Sequence, residues 1–165
     1  MKIEKTEFAD CYIITPVIYK DFRGEYVEIY NQKIFRETFP VEFLQDDISV
    51  SYKNVLRGFH GDKNTWKLVQ CLHGRFQLAI IDMRVGSPTM DKIISITLDD
   101  KTRQQVLIPP LCGNAHLCLS DMCIFHYKQS TYYDGAENQF TVSWKQFKGW
   151  AINNPILSER DKNER

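Results

Sequence analysis

The chain has no uninterrupted apolar run of the ~20 residues that a membrane-spanning helix requires, so no contact with a membrane is expected. Its first ten residues, MKIEKTEFAD, lack the apolar core of a secretory signal, which makes a cytoplasmic location the expectation. Neither sign of charge is in excess: Lys plus Arg and Asp plus Glu each total 21. A broad electrostatic grip on nucleic acid is therefore not expected, although a neutral total is compatible with a local basic pocket for one phosphorylated ligand. The five cysteines, Cys11, Cys71, Cys112, Cys118 and Cys123, are odd in number and contain no C-x-x-C pair. That pattern points to reduced, buried thiols. There is no P-loop and no G-x-G-x-x-G, so a bound nucleotide would not be held on a helix N-terminus. There is no H-x-H pair either. His73, His116 and His126 share no short ligand spacing with His60, and no metal site is expected.

What the chain does have is strands. Hydrophobic residues make up 43% and aromatics 13%, enough for one core at this length, and residues 1–165 are expected to form a single domain. The stretch CYIITPVIYKD is apolar and β-branched and runs into the turn-like DFRG. WKLVQCLHGRFQLAIIDMR predicts two strands joined by a tight hairpin at His73-Gly74. KIISITLDD, RQQVLIPP, HLCLSDMCIFHYKQS and NQFTVSW continue the pattern, with Gly, Pro, Asp and Asn between the runs. This is the rhythm of an all-β sandwich or barrel. One helix is predicted early. Asn31 can cap QKIFRETF, whose Ile34, Phe35 and Phe39 fall near one face, and Pro40 stops it. The C-terminal NNPILSERDKNER reads as a tail passing over the barrel.

The segment VLRGFHGDKNTWKLVQCLHG places a lone imidazole, His60, between Arg57 and Lys67. A neutral histidine is the usual general base near pH 7, and it needs a carboxylate to orient it and an acid across the substrate. Asp161 in LSERD can serve as the carboxylate if the tail folds back. Tyrosine can be the acid, and the candidates are Tyr127 in IFHYKQS and Tyr132 and Tyr133 in TYYDG. Arg23, Arg57 and Lys67 stand at the ends of expected strands, where they can clamp a diphosphate. Each has a plainer alternative: a lone histidine is often structural, Tyr127 can be core, and single cations are usually solvated. On residue patterns alone the plainer readings prevail.

Taken together, the motifs resemble the dTDP-4-dehydrorhamnose 3,5-epimerase family of nucleotide-sugar epimerases. The resemblance rests on DFRGEYVEIYN, FLQDDISVSYKNVLRGFH, KLVQCLHG, DMRVGSPT, IPP, LSD, YKQSTYY and NPILSERD, in order and nearly end to end. It implies an all-β, cupin-type jelly roll with one or two short helices, free of metal and cofactor. It further implies a homodimer that acts on a nucleotide-diphosphate sugar. Position by position, His60 in LRG-x-H matches the catalytic base and Asp161 the carboxylate that orients it. Lys67 before LVQ matches the lysine that steadies the enolate oxygen. Tyr127 in HYK matches the acid, with Tyr133 a further pocket aromatic and the reserve for that role. Arg57 matches an arginine on the diphosphate side, and Gln45 and Asp47 lie in the segment lining the ligand groove. Arg23 and Glu28 match residues that reach a nucleotide in the neighbouring subunit's site. The implied reaction inverts a carbon beside a C4 ketone. His60 takes the proton from one face, Lys67 stabilises the enolate oxygen, and Tyr127 returns a proton on the other.

The departures from the family pattern point to the substrate. Where the family most often reads FAHGF, this chain reads IPPLCGNAHLCLSD. Asn114 takes the place of a histidine over the diphosphate, and His116 falls two residues later. After His60 stand Gly61 and Asp62 in place of an aromatic and Gln, and the loop to Lys67 is shorter. GNAHLCLSD…HYK is more similar to a subgroup acting on GDP-linked 4-keto-heptoses in bacterial capsule or lipopolysaccharide synthesis. The expectation is thus a C3- and/or C5-epimerase of a GDP-4-keto-6-deoxy-heptose. The alternative is a dTDP-4-keto-6-deoxyglucose 3,5-epimerase, and a non-catalytic sugar-nucleotide-binding cupin stands as the reading from another class. A 3,4-ketoisomerase would carry a second histidine where Asp62 stands.

Overall fold

The structure, a computed structural model, describes residues 1–162. In chain order its strands are β1 (Lys2–Lys5), β2 (Tyr12–Thr15), β3 (Ile18–Asp21), β4 (Gly24–Val27), β5 (Gln45–Tyr52), β6 (Leu56–Gly61), β7 (Lys67–His73), β8 (Arg75–Asp82), β9 (Ile93–Asp99), β10 (Gln105–Ile108), β11 (Cys112–Cys118), β12 (Met122–Gln129) and β13 (Phe140–Thr141). Helix α1 spans Gln32–Thr38 and α2 spans Glu159–Lys162. Two sheets form a sandwich, with strand orders β1-β2-β10-β7-β12-β5 and β13-β6-β11-β8-β9, and β3 and β4 make a separate hairpin. The expected all-β jelly roll with two short helices is what the chain forms.

The core lies between the sheets. Val69 and Cys71 of β7, Phe76, Leu78 and Ile80 of β8, and Val106 and Ile108 of β10 meet Cys112, Cys118, Cys123 and Phe125 there. All five cysteines are buried and unpaired with one another. β7 and β8 read as nearly continuous apolar runs because each sits inside its own sheet with neighbours on both sides. For that reason they are not a hairpin, contrary to the expectation for His73-Gly74. Gly74, at φ +75°, turns the chain from one sheet into the other. β7 pairs with β10 and β12, and β8 with β9 and β11. The turn is held by Asp100, whose carboxylate accepts from the Gly74 N–H at 2.7 Å.

CYIITPVIYKD is likewise two strands. Pro16 cannot donate to a ladder, so β2 ends at Thr15 and β3 leaves the sheet to pair with β4. The tip of that hairpin carries Phe22, 98% exposed. The Asn31 side chain accepts from the backbone N–H groups of Lys33 and Ile34 and starts α1, as expected. Phe35 and Phe39, one turn apart, pack with Ile14, Val41, Leu68 and Leu107. Ile34 instead faces solvent at 38% exposure, because it lies ~100° around the helix from Phe35. The tail does return over the sandwich. Ile156 bridges Val55 in parallel and exchanges backbone bonds with Asn54 and Leu56, and α2 packs against β6. The last three residues of that tail, 163–165, lie outside the described residues.

Candidate active site

At one end of the sandwich the apolar core gives way to a cavity of about 340 Å³, lined by residues that include Arg57, His60, Lys67, Asn114, His116, Tyr127, Tyr133 and Asp161. β5 shows why polar groups collect there. Its apolar residues Ile48, Val50 and Tyr52 are exposed, whereas Gln45, Asp47, Ser49 and Ser51 alternate with them on the other face. Ser49 stands opposite Phe125 and Asp47 opposite Tyr127. Strand alternation that turns its polar side inward makes a ligand pocket rather than a core.

Arg57 and His60 are three residues apart, and a regular strand would send them to opposite faces. A β-bulge brings them together. His60 stands opposite Asn114 and Arg57 opposite His116, so three steps on β6 face two on β11. Gly58 makes the bulge possible. Its φ is +107°, and a Cβ there would stand 2.4 Å from the Asn114 carbonyl oxygen. Arg57 is braced by donating from Nε to Ser51 Oγ at 3.0 Å.

His60 Nε2 stands 2.7 Å from Asp161 Oδ1, which leaves Nδ1 as the ring nitrogen able to take a further proton. The other carboxylate oxygen of Asp161 accepts from Ser158 Oγ at 2.9 Å. Burial pushes the Asp161 carboxyl up, but bonds from His60, Ser158 and the Gly58 N–H outweigh it and hold the group below the usual carboxylate range. Tyr127 reaches the cavity from β12. Burial, with the nearby Asp47, Asp62 and Tyr133, pushes its phenol up to about 12, so it keeps its proton at neutral pH. Lys67 Nζ lies 6.0 Å from the Tyr127 ring centroid and 2.6 Å from Asp62 Oδ2.

His116 stacks on Phe125 with ring centroids 4.1 Å apart. Burial, with Arg57 and His60 nearby, pushes its imidazole down to about 3, so it is neutral. His116 Nε2 and Asn114 Oδ1 are buried with no hydrogen-bond partner, and both residues line the cavity. Orphaned buried polar atoms are rare in folded proteins, and a ligand in the cavity would satisfy them.

The remaining candidates fall elsewhere. Gln45 and Asp47 do not line the cavity; Gln45 donates to Asp47 at 2.8 Å and accepts from the Tyr133 N–H at 2.9 Å, which anchors the Tyr133 loop. Tyr132 is exposed and lines a neighbouring cleft. Arg23 is exposed on the β3–β4 hairpin and paired with Asp21. Glu28 accepts from Asn31. Within one chain neither meets the His60 cavity. Ser49, Gln139 and Arg160 line the cavity and were absent from the sequence-based set, as were Ser158, which braces Asp161, and Asp62, which faces Lys67. Ser158 sits inside the LSERD motif and Asp62 directly after HG, so the signal for both was proximity to a motif rather than any periodicity. Among the described residues no group of three or more His, Cys, Asp or Glu is arranged to hold a metal ion, and no helix is long and apolar enough to cross a membrane.

An oriented imidazole, a protonated phenol and an ammonium share one cavity, the set of groups needed to take a proton from a small ligand and to return one. The family model described as dTDP-4-dehydrorhamnose 3,5-epimerase matches residues 5–165. The dTDP-4-dehydrorhamnose 3,5-epimerase of Shigella flexneri is 34% identical over 171 residues, covering 99% of this chain and 94% of that protein. A crystal structure of the enzyme of that name from Bacillus anthracis, with TDP and PPi bound, superposes with a TM-score of 0.93 at 30% identity, covering 99% and 98% of the two chains. That of dTDP-6-deoxy-D-glucose-3,5-epimerase from Legionella pneumophila, in complex with dTDP-4-keto-L-rhamnose, gives 0.92 at 32% identity, covering 99% and 90%.

Proposed function

The chain belongs to the dTDP-4-dehydrorhamnose 3,5-epimerase family, and from that premise we propose that it is an isomerase inverting C3 and C5 of a dTDP-linked 4-keto-6-deoxy sugar. The observation that carries this reading is the His60–Asp161 pair, at 2.7 Å, in one cavity with Tyr127 and Lys67. A ketone at C4 makes the protons on C3 and C5 removable, because the carbanion becomes an enolate. In this reading His60 Nδ1 takes the proton, and Asp161 fixes the ring and stabilises the imidazolium that forms. Lys67 faces the growing oxyanion, where a water-poor wall makes its charge count most. Tyr127 delivers a proton to the opposite face, and Tyr133 is the reserve for that role. Arg57 takes the diphosphate end, and Asn114 and His116 line the wall beside it. Gln45, bonded to Asp47, anchors the Tyr133 loop. No cofactor takes part. The proposed assembly is a homodimer in which Arg23 and Glu28, outside their own chain's cavity, serve the neighbour's nucleotide. We place the protein in the cytoplasm.

A GDP-linked 4-keto-6-deoxy-heptose, in capsule or lipopolysaccharide synthesis, is the second reading. It is favoured by the orphaned Asn114 Oδ1 and His116 Nε2, two atoms that a more hydroxylated ligand would engage. The test is His60→Asn, assayed with both nucleotide sugars and by calorimetry with dTDP and GDP. Loss of turnover with retained nucleotide affinity supports an enzyme, and the nucleotide that binds selects between the two substrates. An unaltered parent that binds nucleotide but turns over neither sugar would instead establish a binding module.

A further inference from the structure

Lysine is almost never buried unless paired, yet Lys67 is 8% exposed. Its partner is Asp62, with Nζ to Oδ2 at 2.6 Å. Asp62 is itself held from three sides. Gln139 Nε2 donates to the same carboxylate oxygen at 3.2 Å. The Asp62 backbone carbonyl accepts from the Leu111 N–H at 2.9 Å. The preceding residue, Gly61, lets Phe140 of β13 lie directly on the strand: a Cβ at 61 would come within 2.1 Å of the Phe140 ring. Residues 60–62 therefore form a unit. The histidine faces the cavity, the glycine admits β13, and β13 brings Gln139 onto the carboxylate.

We propose that Asp62 is a positioning residue for the reaction, clamped by Gln139 and acting through Lys67 to aim its ammonium at the substrate's C4 oxygen. This rests on the reading of Lys67 given above. Asp62 lines the neighbouring cleft and not the His60 cavity, so it acts through Lys67 rather than on the ligand. An ammonium has three N–H donors. One is committed to Asp62, and the others remain for an oxyanion in front. Lysine's flexible four-carbon stem has no preferred aim of its own, and a fixed carboxylate supplies one. It also compensates the desolvation of the charge.

The experiment uses the full chain and the variants Asp62→Asn and Asp62→Glu. Its first readout needs no substrate: lysines are reductively methylated with formaldehyde and cyanoborohydride, and peptide mass spectrometry follows Lys67 against the exposed Lys63. In the parent, Lys67 should react slowly. In Asp62→Asn its rate should rise about fivefold or more with Lys63 unchanged, and Asp62→Glu should restore protection. The second readout is turnover. Asp62→Asn should lower kcat about 10- to 100-fold, the scale of losing the support behind a catalytic group, with KM within about twofold. Lys67 labelled equally in parent and Asp62→Asn, or an unchanged kcat, would overturn the proposal. A parent inactive on every 4-keto nucleotide sugar would sink the functional reading instead, and the labelling would still decide whether Asp62 holds Lys67.

Discussion

Replacing Asp161 with Asn tests the part of the site where geometry speaks most directly to mechanism. The carboxylate is nearly inaccessible and bonds His60 Nε2 at 2.7 Å, with Ser158 on its other oxygen. Asn keeps the shape and one acceptor but loses the charge, and its amide can turn a donor towards the ring and impose the wrong tautomer. A hydrogen bond to a charged group contributes ~1.5–3 kcal/mol. At about 1.4 kcal/mol per tenfold, that is a loss of about 10- to 150-fold. The bond strengthens as His60 becomes an imidazolium, so the loss should fall on kcat and spare KM. The assay is steady-state epimerisation by parent and Asp161→Asn under identical conditions, with a thermal melt to confirm that the variant is folded. A kcat within about twofold of the parent, or a loss confined to KM, would refute the dyad's proposed role.

Three further outcomes follow from the same structure. Tyr127→Phe should abolish inversion while Tyr133→Phe retains it, and the reverse pattern, read from product stereochemistry by NMR, would move the acid to Tyr133. Asp82 is fully buried; burial pushes its carboxyl up, but bonds from Arg84, Thr89 and Ser87 hold it well below the usual range. Its stabilising effect is thus present above about pH 4, the unfolded value, and is lost as pH falls through the folded one. Asp82→Asn should cost about 3–5 kcal/mol at pH 7 by urea unfolding, and the gap from the parent should narrow at pH 3; an equal gap at both would contradict this. Burial pushes the thiols of Cys11 to about 11 and of Cys71 and Cys112 to about 12. Iodoacetamide at pH 8 should therefore leave activity intact, and rapid inactivation with label on one cysteine would show otherwise.

Local chemistry was readable where it acts locally. Asn31 and Pro40 bracket α1, and strand runs separated by Gly, Pro and Asp give the all-β class. Pairing was not readable in the same way. Gly74 turns the chain through the same kind of residue whether the strands on either side bond each other or enter opposite sheets, and that choice rests with β9 to β12, far along the chain. The dyad is a clearer case. His60 and Asp161 are 101 residues apart, so no spacing rule joins them; resemblance pointed to the pair, and the returning tail supplies the contact. Arg57 and His60 share a face through a bulge that strand periodicity would deny. Asp62 looked like a mere departure after His60, because its meaning depends on Gln139 and on the room that Gly61 leaves for Phe140.

Incubation in heavy water with a 4-keto nucleotide sugar tests directly whether this cavity passes protons through an enolate. dTDP-4-keto-6-deoxyglucose and a GDP-4-keto-6-deoxy-heptose would be followed in parallel by mass spectrometry and proton NMR. Solvent deuterium should enter at C3 and C5 with inverted configuration at both. Deuterium at C3 alone would limit the enzyme to one centre. No exchange into either sugar, by a chain that still binds nucleotide, would contradict proton transfer through an enolate in this cavity.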